Sequence, residues 1–177
     1  MTAAEIAAAL EAAFRSAVAG KAPPGSDPFV TVDPTRLVEV CKFLRDDPRL
    51  RFDLLNNISG VDYLEPDAKK AAKAGFDPHL ELVYHVSSTA HPGRRLTFKV
   101  LLPRWANDVI GELPEVPTVS GVWPTADWHE REVYDLVGVR FAGHPDLRRI
   151  LLADDWVGHP LRKDYEFPLE YHGIRCR

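Results

Sequence analysis

The sequence predicts an α+β protein: a two-layer domain over residues 1–141, with a mixed β-sheet covered by helices on one face, followed by a long extended C-terminal segment over 142–177. Three observations carry this. Leu80, Leu82, Tyr84 and Val86 alternate with mostly polar neighbours, and Leu96, Phe98, Val100 and Leu102 repeat that period of two, the pattern of half-buried strands. Two earlier stretches instead place apolar residues at helical spacing, and helices mixed with neighbouring strands in this order imply two packed layers. From Gly143 onward the chain shows little periodicity of either kind and is punctuated by Pro145, Pro160 and Pro168.

The first element, "MTAAEIAAALEAAFRSAVAG", reads as a helix. Thr2 and Glu5 have capping-box spacing, Ile6, Leu10, Phe14 and Val18 recur every four residues, and Gly20 offers a stop before Pro23-Pro24. Glu5, Glu11 and Arg15 interrupt the apolar run and no basic leader precedes it, so it suits neither a secretory signal nor a membrane span; no later stretch is long and apolar enough to cross a bilayer. After a loop, residues 28–32 form a short strand. Asp33-Pro34 then supplies an N-cap and a first-turn proline for a helix over 34–46, with Leu37, Val40, Cys41 and Leu44 on its buried face. Residues 50–63 are strand-like, with Asn56-Asn57 and Gly60 marking a bulge or bend. The alanine- and lysine-rich "DAKKAAKAGFDP" is a mobile connection. The two alternating strands, joined by "SSTAHPGR", pair antiparallel.

In "PTADWHEREVYDLVG", Thr125 caps a helix that Gly138 ends. Asp127, Arg131 and Asp135 stand four apart, setting the arginine between two carboxylates on one stripe. Such exposed pairs stabilise a helix by only about 0.2–0.5 kcal/mol each, so this charge density suggests a partner surface or a chemical site.

Composition narrows the functional classes. The 177 residues are 45% hydrophobic, ordinary for one domain with an extension, and the net charge of -4 comes from interspersed acids and bases. That balance argues against a nucleic-acid partner. Two cysteines, Cys41 and Cys176, cannot furnish the four thiolates of an iron–sulfur cluster or a Cys-rich zinc site, and they fit a reducing, cytoplasmic compartment. The zinc-deaminase pattern fails because Arg131 stands two places after His129, and the His-Glu-x-x-His pattern fails at Val133. A glycine-rich phosphate cradle is missing, and Cys41 lies on a presumed buried face where a small inert hydrophobe is the usual reading. An acid/base site combining Glu130, Glu132 or Asp135 with His144 is physically allowed but rests on residue types alone.

The C-terminal segment says nearly the same thing twice. Gly143-His144-Pro145 precedes Leu147-Arg148-Arg149, and Gly158-His159-Pro160 precedes Leu161-Arg162-Lys163. No set of Cys, His and Asp of recognisable spacing completes a metal site around His144 and His159. Proline fixes its own φ and biases the preceding histidine toward extended geometry, so both units are expected to be turns. A structureless run this long is unusual inside a compact domain; extended at about 3.3 Å per residue it reaches on the order of 100 Å, enough to wrap a neighbour.

The run "WHEREVYDLVGVRFAGHPDLRRILLADDWVGHPLRKDYEFP" closely resembles the signature of the C subunit, also called the 30 kDa subunit, of proton-translocating NADH-quinone oxidoreductase, respiratory complex I. The resemblance is carried by Glu130-Arg131-Glu132, Tyr134-Asp135, residues 143–151 and residues 158–164, with "SGVWPTAD" and "FPLEYHGIRCR" also similar; it covers about a third of the chain at motif level. It implies a structural subunit holding no flavin, cluster or quinone site, packed in the hydrophilic arm beside the D subunit, with electron transfer from NADH to quinone and proton translocation belonging to the assembly. It also implies a peripheral location on the cytoplasmic side of the membrane, reached through partners. The equivalent subunit of an energy-converting, membrane-bound hydrogenase or related dehydrogenase is similar too and is the alternative; a freestanding acid/base enzyme is disfavoured.

On this reading the partner interface comprises Glu130, Arg131, Glu132 and Asp135 of the charged helix together with the two repeat units. Arg148, Arg149, Arg162 and Lys163 meet partner carboxylates, and His144 and His159 turn the chain. Trp156 and Tyr165, with Phe167 and Tyr171, supply apolar anchors. No catalytic, cofactor-binding or metal-binding residue is expected in this chain.

Overall fold

The computed structural model describes residues 1–15, 18–19 and 28–176. The two alternating segments become β4 (His79–Ser87) and β5 (Arg95–Leu102), paired antiparallel with Leu82 opposite Val100 and Tyr84 opposite Phe98. Beyond β4 lies β3 (Leu54–Tyr63), also antiparallel, with Ile58 opposite Tyr84 and a register shift between Leu55 and Asn57 where the Asn56-Asn57 bulge was expected. On the other side β2 (Phe29–Val32) runs parallel to β5, and the two-residue β1 (Val18–Ala19) pairs antiparallel with β2. The order β1-β2-β5-β4-β3 is therefore a mixed, five-stranded sheet.

Because partners across a ladder point the same way, Val30, Ile58, Leu82, Tyr84, Phe98 and Val100 share one face, and all are buried. The other face carries Lys99 paired to Glu81 at 2.8 Å, so the sheet is one-sided. Helices cover the apolar face. In α1 (Ala3–Phe14) the Thr2–Glu5 capping box forms, Ile6 and Leu10 are buried, and Phe14 meets Phe43 edge-on at 5.4 Å. Each such fully buried aliphatic side chain contributes about 1.5–3 kcal/mol. Asp33 accepts from the Thr35 N–H at 2.8 Å and starts a 3-10 turn, Pro34–Arg36, that leads into α2 (Leu37–Asp46). Its buried residues are Leu37, Val40, Cys41 and Leu44, the face that the spacing predicts.

Three local expectations are corrected. The first helix ends at Phe14, with Arg15 at φ 45°, and Val18 belongs to β1 rather than to the helical face; the expected stop at Gly20 and Pro23-Pro24 lies outside the described residues. The 67–78 connection holds a single helical turn, α3 (Ala68–Ala71), capped by Asp67. The charged helix, α4 (Ala126–Val137), gets no side-chain cap from Thr125, whose hydroxyl donates to the Leu55 carbonyl across the layer at 3.1 Å. The structure adds two small sheets that the pattern did not announce: β6 (Glu115–Pro117) parallel to β7 (Arg140–Ala142), and a hairpin of β8 (Glu170–Tyr171) and β9 (Ile174–Arg175). The expected boundary after residue 141 falls inside β7.

Candidate functional site

The charged residues singled out in the sequence converge on α4. Gly138, at φ 77°, ends this helix in the left-handed conformation and donates its N–H to the Val133 and Tyr134 carbonyls, both at 3.1 Å. The carbonyls that follow have no partner within the helix. The second Gly-His-Pro unit supplies donors for four in a row. His159 Nδ1 donates to Asp135 O at 2.9 Å, the Leu161 N–H to Leu136 O at 2.9 Å, Arg162 Nε to Val137 O at 2.8 Å, and Arg162 Nη2 to Gly138 O at 3.2 Å. A guanidinium at a helix C-terminus also complements the negative end of the macrodipole. Burial pushes the His159 imidazole below its ordinary pKa, so it acts here as the neutral Nδ1–H form.

The first unit lies along the same helix. Asp135 Oδ2 accepts three successive backbone N–H groups, from Ile150, Leu151 and Leu152 at 3.0, 2.8 and 2.9 Å, while its Oδ1 receives Arg149 at 2.6 Å. Burial alone would raise its pKa; the four donors outweigh that and hold the carboxyl below the usual range. Arg131 donates to the carbonyls of Arg148 and Arg149, both at 3.3 Å. His144 has both ring nitrogens occupied: Nε2 donates to Asp127 O at 3.0 Å and Nδ1 accepts from the Asp146 N–H at 3.0 Å, an arrangement the Nε2–H tautomer satisfies. His144 therefore has no ring nitrogen left to act as a ligand. Among the described residues no group of three or more His, Cys, Asp or Glu is placed to hold a metal ion.

A second anchor ties the tail to the sheet. Asp62 is on the apolar face of β3 and fully buried at its side chain; it forms a two-pronged pair with Arg104 at 2.7 and 2.8 Å and accepts the Lys163 N–H at 2.9 Å. Arg104 also reaches Asp164 at 2.7 Å. Arg162 donates to Arg104 O at 2.8 Å and lies over the Trp105 ring at 3.7 Å; with only 6% of its surface exposed, its pKa falls to about 10, chiefly by burial and then by the Arg104 charge.

Glu130 is the third buried charge of α4, with no exposed surface. Its carboxylate accepts from the Thr118 hydroxyl and, at 2.7 Å, from the Val119 N–H, and His144 Nε2 stands 3.9 Å away. Burial lifts its pKa to about 7 against the lowering effect of those two hydrogen bonds. Cys41 is fully buried, and burial followed by the nearby Glu130 charge pushes its thiol well up, leaving no reactive thiolate.

The partner-interface reading is therefore corrected for the buried charges. Glu130, Arg131, Asp135 and Arg162 face inward, and Arg131 is not flanked by Asp127 and Asp135 as the four-residue spacing suggests. His144, Arg149 and His159 are engaged with α4, and Trp156 and Tyr165 lie half-buried in a cluster with Phe167 and Tyr171. The physical reason is that orphan helix carbonyls and buried carboxylates demand donors, and the tail is the nearest source. Glu132, Arg148 and Lys163 do present exposed side chains. Sequence reasoning missed Asp62, Arg104, Trp105 and Thr118. Asp62 carried a signal, since a carboxylate at the apolar-facing position of a strand requires a buried cation.

Fold and site together define a class: a one-sided α+β domain whose charged C-terminal repeat is bound to its own fourth helix, with these charges serving structure. The family model for "Respiratory-chain NADH dehydrogenase, 30 Kd subunit" matches residues 30–171, which include both repeat units. The chain is 45% identical over 155 residues to the C subunit of NADH-quinone oxidoreductase from Roseiflexus sp. (strain RS-1), covering 88% of this chain and 79% of that one. It is 46% identical over 145 residues to the corresponding protein of Salinispora arenicola (strain CNS-205), covering 80% of this chain but 52% of that longer relative. Among solved structures, a trypsin-resistant fragment (1-134) of Nqo5 is similar at 27% identity and TM-score 0.56, covering 82% of this chain and all of the fragment. The chain belongs to the family of 30 kDa subunits of respiratory-chain NADH dehydrogenase.

Proposed function

We propose that this chain is a cofactor-free structural subunit of the peripheral arm of an NADH-quinone oxidoreductase, packed against the D subunit near the quinone module and held at the cytoplasmic face of the membrane through its partners. Electron transfer from NADH to quinone, and the proton translocation coupled to it, belong to the assembly; this chain positions neighbours. Beyond the family relationship, one observation carries the reading. The tail is fixed from inside by its charges, yet it presents large apolar residues to water: Leu151, Val157 at 85% exposure, Leu161, Leu169 at 71%, and Ile174, with Trp128 on α4 exposed as well. So many exposed apolar residues on one short segment mark an interaction surface. No described helix is long and apolar enough to cross a membrane, which fits attachment through partners.

The test is to tag the chain, purify it from native membranes and identify what accompanies it. The D subunit and other hydrophilic-arm subunits are expected in equal amounts. Leu151→Asp combined with Leu169→Asp should abolish their recovery while the isolated chain keeps its unfolding midpoint. Hydrogenase subunits in place of an NADH-oxidising module would select the alternative assembly, and a wild-type chain recovered alone would refute the proposal.

A further inference from the structure

The tail and the loop after β5 enclose an open groove of about 560 Å³, walled chiefly by Trp105, Ile110, Trp156, Val157, Tyr165 and Tyr171. Ile110 and Val157 are each 85% exposed, so the apolar mouth faces water. The lining is strongly one-signed. Four carboxylates border it, Asp155, Asp164, Glu166 and Glu170, against the single guanidinium of Arg162. That guanidinium is covered by Trp105 and bonded to backbone carbonyls, while burial keeps His159 neutral. Asp155 is engaged by Tyr171 and His172, both at 2.7 Å, and Asp164 by Arg104. Glu166 and Glu170 are exposed and form no salt bridge among the described residues, Glu170 standing opposite Arg175 in the β8–β9 ladder without closing an ion pair to it.

We propose that this groove receives an extended basic segment of a neighbouring subunit, with an aliphatic or aromatic side chain seated among Trp105, Val157 and Tyr165 and flanking Lys or Arg residues paired to Glu166 and Glu170. This rests on the reading of the chain as part of an assembly and deepens it by naming what one face recognises. Charge decides the occupant. Phosphate-bearing ligands, whether nucleic acid or an anionic lipid surface, meet like charge at this rim, whereas a cation gains two unpaired carboxylates and aromatic faces. Extended backbone suits an open groove, and an arginine can stack on its aromatic wall while bonding a rim carboxylate.

The test uses the intact assembly. A photo-cross-linking phenylalanine analogue replaces Val157, a second chain carries it at His85 on the polar sheet face, and cross-linked peptides are identified by mass spectrometry after purification from membranes. The expected result is a cross-link from position 157, and none from position 85, to a partner peptide with Lys or Arg beside an apolar residue. Glu166→Lys with Glu170→Lys should reduce recovery of that partner after a salt wash on the order of tenfold, with the Glu→Gln pair intermediate. Both residues are exposed, and the unfolding midpoint of each variant checks the fold. Neighbouring subunits recovered normally while position 157 links to lipid, to an acidic peptide or to nothing would overturn the groove and leave the subunit reading intact. A wild-type chain recovered without partners would overturn both.

Discussion

At the residue scale, Glu130 shows how burial decides the state of a charge. Fully enclosed, it titrates near 7 because burial disfavours the carboxylate more than Thr118 and Val119 favour it. The groups that face it are Asp127, whose charge raises it further, His144, Cys41 and Tyr84. Its folded pKa lies above the ordinary value of 4.5, so the native state binds the proton more tightly than the unfolded chain. The stability this confers is complete below about pH 4.5, declines through the interval up to about pH 7, and is gone above it, a change of about 3 kcal/mol. Glu130→Gln keeps an acceptor for the Val119 N–H and offers an amide to the Thr118 hydroxyl without a charge to desolvate. The variant is therefore expected to gain stability relative to wild type as pH rises from about 5 to about 8, read as the difference in urea midpoints so that the opposite contribution of depressed carboxyls such as Asp135 cancels. An unchanging difference across that range would show that Glu130 does not titrate there.

At the element scale, the C-terminus of α4 concentrates the tail's work, and Gly138 is its pivot. A Cβ there would lie 2.5 Å from His159 Cδ2, and the backbone sits at φ 77°. Gly138→Ala is expected to cost about 2 kcal/mol or more: roughly 1 for the left-handed backbone, the rest from displacing the imidazole that caps Asp135 O. In a His159→Ala background the same substitution should cost only about 1 kcal/mol, the backbone part alone, and equal costs in both backgrounds in denaturant melts would refute the steric contact. Gly138 as a helix stop was legible in the sequence, as were the β4 and β5 alternation and the Leu37, Val40, Cys41, Leu44 face, because each is set by residues a few positions apart. The side-chain cap of α4 and the early end of α1 were not, since distant partners are involved: the Thr125 hydroxyl bonds Leu55, 70 positions away, and Val18 pairs with Val32 of β2. The repeat was visible because it is built of uncommon residues; its destination was not. Lys163 reaches Asp62 across 101 positions and Arg162 reaches Arg104 across 58, and no local pattern encodes a pairing at that distance.

At the scale of the whole molecule, these long-range bonds reverse the roles that chain order suggests. A tail punctuated by three prolines looks separable, but residues 143–164 supply the donors for four carbonyls of α4, for both oxygens of Asp135 and, through Lys163, for Asp62. Removing them leaves buried acceptors unsatisfied and a carboxylate without its cation, a loss of about 3–5 kcal/mol or more for one such broken pair alone. Against a total stability of about 5–15 kcal/mol, truncation after Phe141 is expected to leave much of the chain unfolded at 25 °C. Truncation after Glu166 is a different operation. It keeps every bond of both repeat units and removes the β8–β9 hairpin with Phe167 and Tyr171, whose aromatic contacts to Trp156 contribute about 0.5–1.5 kcal/mol each. That shorter chain should retain a cooperative unfolding transition within about 3 kcal/mol of full length while, if the proposed subunit role holds, recovering fewer partner subunits from membranes, since Leu169 and Ile174 go with it. Circular dichroism of both truncations decides the matter: a cooperative, stable 1–141 fragment would mean that the tail's bonds to α4 add little, and that its order must come from a partner after all.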